Sequence, residues 1–204
     1  MLVDFSKLDK KATYQLMTET IIPRPIAWIL SENENNSYNL APFSYFNAIT
    51  SSPALISVSV GYRPDGSFKD TRRNLEVRAD FVLHIPSFEH AADVTASSQP
   101  YPNGVSEVTD LNLDLVADLS STKLPRLAQC RVAYHCRYQQ TIELGDNNQG
   151  LLIAEVVSAY LEDSLIRGQG GVDSQAIDPL CRLGGNDYGS LGKLISVDRG
   201  PYQP

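Results

Sequence analysis

The sequence predicts a mainly β protein with peripheral helices, an antiparallel barrel folded as a single domain over residues 1–204. Three observations carry this. Strand-like runs follow one another instead of alternating regularly with helices, which argues against a parallel doubly wound sheet. The two longest runs, Arg131–Leu144 and Leu151–Leu161, are joined by Gly145-Asp146-Asn147-Asn148-Gln149-Gly150 and read as one large hairpin. An apolar content of 42% over 204 residues supplies a continuous core, and no repeat, low-complexity tract or linker divides it.

The elements follow in order. Leu8, Ala12, Leu16 and Met17 recur at helical spacing behind Asp9, a capping residue, and Pro23 and Pro25 stop the pattern, so a helix is expected from Leu8 to Thr20. Pro25–Ser31, Asn39–Phe46 and Ala54–Val60 are rich in Ile, Val, Leu and aromatics and predict three strands, the first two flanking a polar tip at Glu32–Ser37. Arg63-Pro64-Asp65-Gly66 is a turn, Lys69–Arg78 a short helix, and Asp80–Ile85 a strand that ends at Pro86. Phe88–Ser98 reads as helical, while Gln99–Pro125 mixes turn residues with short apolar pieces and resists assignment. Arg167–Gly192 is Gly-rich and reads as loop.

Composition excludes several functions. With 17 Lys and Arg against 24 Asp and Glu, the net charge of −7 disfavours nucleic acid and anionic lipid as partners. No run approaches the ~20 apolar residues of a membrane span, and the N-terminus lacks the shape of a signal peptide, so a cytoplasmic protein is expected. Cys130, Cys136 and Cys181 fit neither a disulfide framework nor a C-x-x-C site and are expected to be reduced thiols. His84, His90 and His135 stand at no metal-ligand spacing; each reads as a strand or helix residue with a local hydrogen bond, and no metal is expected. Gly184–Gly189 has the gap of a phosphate-binding P-loop but Ser190 where its Lys belongs, and Gly168-Gln169-Gly170-Gly171 lacks the βαβ context of a dinucleotide fingerprint. Asn35-Asn36-Ser37 is a sequon read as a polar turn.

One constellation has chemical content. In Phe68-Lys69-Asp70-Thr71-Arg72-Arg73-Asn74-Leu75, Asp70 or Thr71 caps a helix whose first turn holds two arginines that oppose the helix dipole. Free N–H groups, the Thr71 hydroxyl, Lys69 and an Arg suit a phosphate dianion; spacing alone favours an exposed capped helix with solvated arginines. A second stretch, Asn39 to Pro53, interleaves Ser44, Asn47, Thr50, Ser51 and Ser52 with Phe43, Tyr45 and Phe46. Such hydroxyls and exposed backbone can line one side of a flat aromatic ligand, or form an ordinary strand and Ser-rich turn.

Together these stretches resemble the flavin reductase-like proteins with an FMN-binding split barrel. The resemblance runs through Arg24-Pro25-Ile26-Ala27-Trp28, Ala41-Pro42-Phe43-Ser44-Tyr45-Phe46-Asn47, Pro53, Ser57-Val58-Ser59, Lys69-Asp70-Thr71 with Asn74, and Phe81 to Pro86, and returns at Arg182-Leu183-Gly184-Gly185-Asn186-Asp187-Tyr188. It implies an antiparallel FMN-binding split β-barrel of six strands, a homodimer with FMN at the subunit interface. Carried over by residue, it sets Ser44, Tyr45, Phe46 and Asn47 along the flavin ring and ribityl chain, and Thr50, Ser51 and Ser59 at the border of the slot. Lys69, Asp70 and Thr71 then hold the phosphate end, with Asn74 and Arg24 as further candidates. Trp28 is core or a wall near the flavin, and Arg182 and Tyr188 cover the open flavin face or pack on the partner. The implied activity is hydride transfer from NAD(P)H through FMN to flavin, oxygen or a small organic acceptor; the alternatives are a flavin-binding electron carrier and an FMN-dependent oxygenase. The resemblance names no general acid or other catalytic side chain.

Overall fold

A computed structural model describes residues 1–146, 148–198 and 200. Seven strands form one antiparallel sheet: β1 (Ala27–Glu32), β2 (Tyr38–Phe43), β3 (Phe46–Ser51), β4 (Ala54–Val60), β5 (Asp80–His84), β6 (Val132–Leu144) and β7 (Gln149–Leu161). Their order across the sheet is β2-β1-β5-β6-β7-β4-β3. The fold class the sequence predicted is thus the one observed, an antiparallel split barrel. No helix among the described residues is long and apolar enough to cross a membrane.

The sheet separates two cores because alternate residues of each central strand face opposite sides. Ala27 and Ile29 of β1 and Phe81 and Leu83 of β5 join Phe43, Ile56, Val58, Leu75 and Cys136 inside the barrel. Trp28 and Leu30 of β1 and Val82 of β5 point the other way, into a second core with Val94, Val108, Leu127 and Leu180. This double burial explains why β1 is a continuous apolar run although its sheet is antiparallel. Trp28 is core: fully buried, it donates from Nε1 to Ser97 Oγ at 2.9 Å.

Helix α1 (Lys10–Thr20) starts where Asp9 accepts from the Ala12 N–H at 2.7 Å. Helix α2 (Asp70–Arg78) plugs the barrel with Leu75. A 3₁₀ turn at Phe88–His90 leads into α3 (Ala91–Ala96), and the unassigned middle holds α4 (Glu107–Asp110) and Leu115–Val116, which pairs with Arg126–Leu127 just beyond it. That middle region covers the outer core.

Two expectations need correction. The strand read as Asn39–Phe46 breaks at Ser44–Tyr45, and Phe46–Ser51 forms a separate edge strand, giving seven strands where six were implied. The break is held on both sides: Arg24 Nε donates to Ser44 Oγ at 3.4 Å, and the Ser59 N–H to the Tyr45 carbonyl at 2.8 Å. The Gly-rich tail is not all loop. It contains α5 (Ser174–Ile177), and Cys181–Arg182 pairs with both Arg24–Pro25 and Tyr188–Gly189. Leu180 and Cys181, buried next to those glycines, supply the apolar anchor that the glycine content obscured. In the β6–β7 turn, Asn147 lies outside the described residues.

Candidate functional site

Helix α2 begins one residue earlier than its capping residues suggested. Lys69 occupies the N-cap position, and no side chain caps the first turn. The first intrahelical bond runs from the Arg73 N–H to the Lys69 carbonyl at 3.1 Å, leaving the preceding N–H groups without helical acceptors. Unpaired N–H groups at a helix start beside a lysine favour negative charge.

The two arginines of the first turn do not serve it. Arg72 pairs with Glu76 at 2.9 Å and Glu143 at 2.8 Å and stacks over the Phe68 ring, which keeps it firmly charged. Arg73 pairs with Asp70. The arginine that reaches the helix entrance is Arg63, from the preceding turn: its Nη2 meets Asp70 Oδ2 at 2.7 Å and its Nη1 donates to the Tyr101 carbonyl at 2.9 Å. Its Nε is buried without an acceptor, alone in this among side-chain nitrogens and oxygens of the described residues.

Two cavities share lining residues at this entrance. One, of about 360 Å³, is lined by Asn39, Arg63, Lys69, Asp70, Thr71 and Tyr101 among others. The second, of about 580 Å³, runs along Ser44, Tyr45, Ser59, Gly61 and Gln149 under Tyr14 and Met17 of α1. Pro42, Phe43 and Lys69 line both. Lys69 has no carboxylate partner among the described residues, and burial together with the nearby Arg63 charge pushes its pKa down. Glu107, which accepts from the Leu40 N–H at 2.9 Å, has its carboxyl pushed up by burial. Asp70 is already paired twice, so the entrance carries an excess of positive charge. In the larger cavity, Gln149 Nε2 donates to Ser59 Oγ at 3.0 Å, leaving the Ser59 hydroxyl proton for a ligand. Burial and Tyr14 raise the Tyr45 phenol.

Of the residues named from sequence, Ser44, Tyr45, Ser59, Lys69, Asp70 and Thr71 come together on these walls. The Thr71 oxygen accepts from Asn39 Nδ2 at 3.0 Å, which leaves its own proton to donate. Asn74 instead ties the helix to the β1–β2 hairpin, through Ser31 Oγ at 3.2 Å and Asn33 Oδ1 at 2.9 Å. The Arg24 guanidinium is engaged by the Thr18, Ile21 and Leu183 carbonyls, so it braces α1 against the tail. Phe46 packs on the barrel core, while Asn47, Thr50 and Ser51 are exposed on edge strand β3 and line neither cavity. Arg182 stacks on Tyr188 instead of reaching either cavity. Sequence reasoning missed Arg63, Gln149, Tyr14 and Tyr101. Arg63 was visible only as part of a Pro-Asp-Gly turn, and nothing local marks Gln149 as the partner of Ser59.

Known proteins share this architecture. Residues 17–174 match the family model described as flavin reductase like domain. The chain is 36% identical over 196 residues to the uncharacterized protein BH2278 of Halalkalibacterium halodurans, covering 94% of this chain and 93% of that one. Among solved structures, nitrilotriacetate monooxygenase component B from Bacillus cereus superimposes with a TM-score of 0.90 at 29% identity, covering 97% of this chain and 98% of that one. The 2-nitrobenzoate 2-nitroreductase NbaA of Pseudomonas fluorescens follows at TM-score 0.89 and 25% identity, covering 100% of this chain and 98% of that one. The protein therefore belongs to the flavin reductase-like family, whose members are flavoprotein oxidoreductases.

Proposed function

We propose that this protein is a homodimeric, FMN-binding oxidoreductase of the cytoplasm that draws hydride from NAD(P)H and delivers electrons to free flavin, oxygen or a small organic acceptor. The observation that carries the reading is the uncapped start of α2, with Lys69 and Thr71 beside it, at cavities of about 360 and 580 Å³ that share Pro42, Phe43 and Lys69. The residues fit the group: an orphaned Arg63 Nε, a lysine without a carboxylate and free helix N–H groups all call for an anion of the phosphate type. FMN, when bound, supplies the redox chemistry.

The chain's own tasks are binding, orientation and exclusion of water. Lys69, the Thr71 hydroxyl and the α2 N–H groups hold the phosphate, while Asp70 keeps Arg63 at the entrance. Phe43, Ser44 and Tyr45 form the wall for the ring, and the Gln149-oriented hydroxyl of Ser59 donates along its edge. Tyr14 and Met17 of α1 narrow the slot from above. Exposed β3, with Ile49 half out in solvent at the sheet edge, is the surface offered to a second subunit.

Titration with FMN, followed by anaerobic addition of NADH or NADPH, tests this directly. Bound FMN whose visible absorption bleaches with NAD(P)H supports the reading. FMN that binds but stays oxidised makes the protein a carrier, and failure to bind FMN removes the proposal.

A further inference from the structure

His135 of β6 has no part in the flavin site, yet it sits in the middle of a hydrogen-bonded chain. Its ring is fully buried, with Nε2 at 3.0 Å from Asp80 Oδ1 and Nδ1 at 2.9 Å from Ser121 Oγ. Ser121 Oγ in turn lies 2.5 Å from Ser158 Oγ. The proton positions follow from the partners. A carboxylate only accepts, so Nε2 carries the ring proton; Nδ1 is then the acceptor, the Ser121 hydroxyl donates to it, and the Ser158 hydroxyl donates to Ser121. Asp80 is further held by Arg137 Nε at 3.2 Å on the same oxygen.

The serine end of this chain is open. Ser121 is exposed in the loop between Val116 and Arg126 and lines a cavity of about 550 Å³ with Arg78, Asp80, Thr122, Lys123 and Leu124. None of its lining residues belongs to the two cavities of the flavin site. The backbone N–H groups of Ser121 and Lys123 have no acceptor among the described residues. A nucleophile, a base within hydrogen-bond reach and a carboxylate orienting the base recur on unrelated folds and are recognised by geometry and roles.

We propose that Ser121, His135 and Asp80 form a second, hydrolytic site that cleaves small polar carboxylic esters. Ser121 Oγ bonds to the ester carbonyl carbon as its proton passes to His135 Nδ1; the C–O bond to the alcohol breaks, and that proton leaves with the alcohol. Water then attacks the acyl carbon and gives a proton to Nδ1, the bond to Ser121 Oγ breaks, and Ser121 recovers its proton as the acid is released. Asp80 is a positioning residue that keeps the base in the tautomer accepting at Nδ1. The N–H groups of Ser121 and Lys123, without an acceptor among the described residues, are the donors offered to the developing oxyanion. Walls that are polar apart from Leu124 favour an acetyl over a long fatty acyl group.

The test is to treat the full-length protein with a fluorophosphonate probe, map the adduct by mass spectrometry, and assay p-nitrophenyl acetate hydrolysis, with near-UV circular dichroism confirming the fold of each variant. One adduct on Ser121 is expected, with hydrolysis falling at least about 100-fold in Ser121→Ala and His135→Gln. In Asp80→Asn, kcat falls with KM unchanged, which a loop-pinning role would not produce. Absence of an adduct on the native protein, an adduct elsewhere, or hydrolysis unchanged in Ser121→Ala overturns the proposal, and the first of these needs no variant.

Discussion

The Lys69 ammonium stands 5.7 Å from the centroid of the Phe43 ring, so the cation at the start of α2 and an apolar wall of the barrel meet among the residues that line both cavities. The FMN proposed for this site would set its phosphate toward that cation and its ring toward that wall.

The Lys69→Ala, Thr71→Ala double variant is expected to weaken FMN binding by a few kcal/mol, since a hydrogen bond to a charged group contributes about 1.5–3 kcal/mol. Fluorescence titration checks it. Unchanged affinity would take the phosphate away from α2.

Asp70→Asn acts on the helix entrance itself. It leaves Arg63 and Arg73 without their shared carboxylate, Asp70 itself being only 4% exposed. Loss of about 2–3 kcal/mol of stability is expected, below the range for a fully buried pair because both arginines are partly exposed. Urea unfolding measures it, and an unaltered midpoint would show the pairs to be energetically idle.

Acid stability is expected to depend on His84. The Leu127 N–H donates to its Nε2 at 2.9 Å, so Nδ1–H donates to the Trp28 carbonyl at 2.9 Å, and complete burial pushes its pKa down to about 4 from 6.5. The neutral form is preferred in the fold, so its contribution is full above pH 6.5 and lost as pH falls toward 4. Over this span the loss is about 3 kcal/mol, at roughly 1.4 kcal/mol per pH unit. Urea midpoints across that range, compared with His84→Gln, test the sign: the variant should lack the excess slope.

Much of this was readable in the sequence, and the failures share a cause. Asp9, the apolar run of β1 and the long β6–β7 hairpin announce themselves through local pattern, whereas Trp28 stayed open between core and flavin wall until both faces of β1 proved buried. The family resemblance placed Ser44, Tyr45, Ser59, Lys69 and Thr71 near one another. What stayed hidden depends on long-range pairing. Arg72 is diverted by Glu143, 71 positions away, and Arg24 by Leu183, 159 positions away, so neither arginine is free for a phosphate. Local reading likewise ran β2 and β3 together, because the bend at Ser44–Tyr45 is made by Arg24 and Ser59.

Self-association should pass through the β3 edge. Sedimentation at micromolar concentration is expected to show a dimer, and Ile49→Lys, at a position 49% exposed and so without cost to the core, should yield a folded monomer with weakened FMN binding. A native monomer that retains FMN at full affinity would remove the interface from the site.

The most direct test compares FMN with riboflavin in parallel titrations of the purified protein, since the two differ only in the phosphate. FMN binding at least tenfold tighter, with the advantage abolished in Lys69→Ala, is the expected result. Equal affinity for the two flavins, or no binding of either, would contradict an anion site at the start of α2.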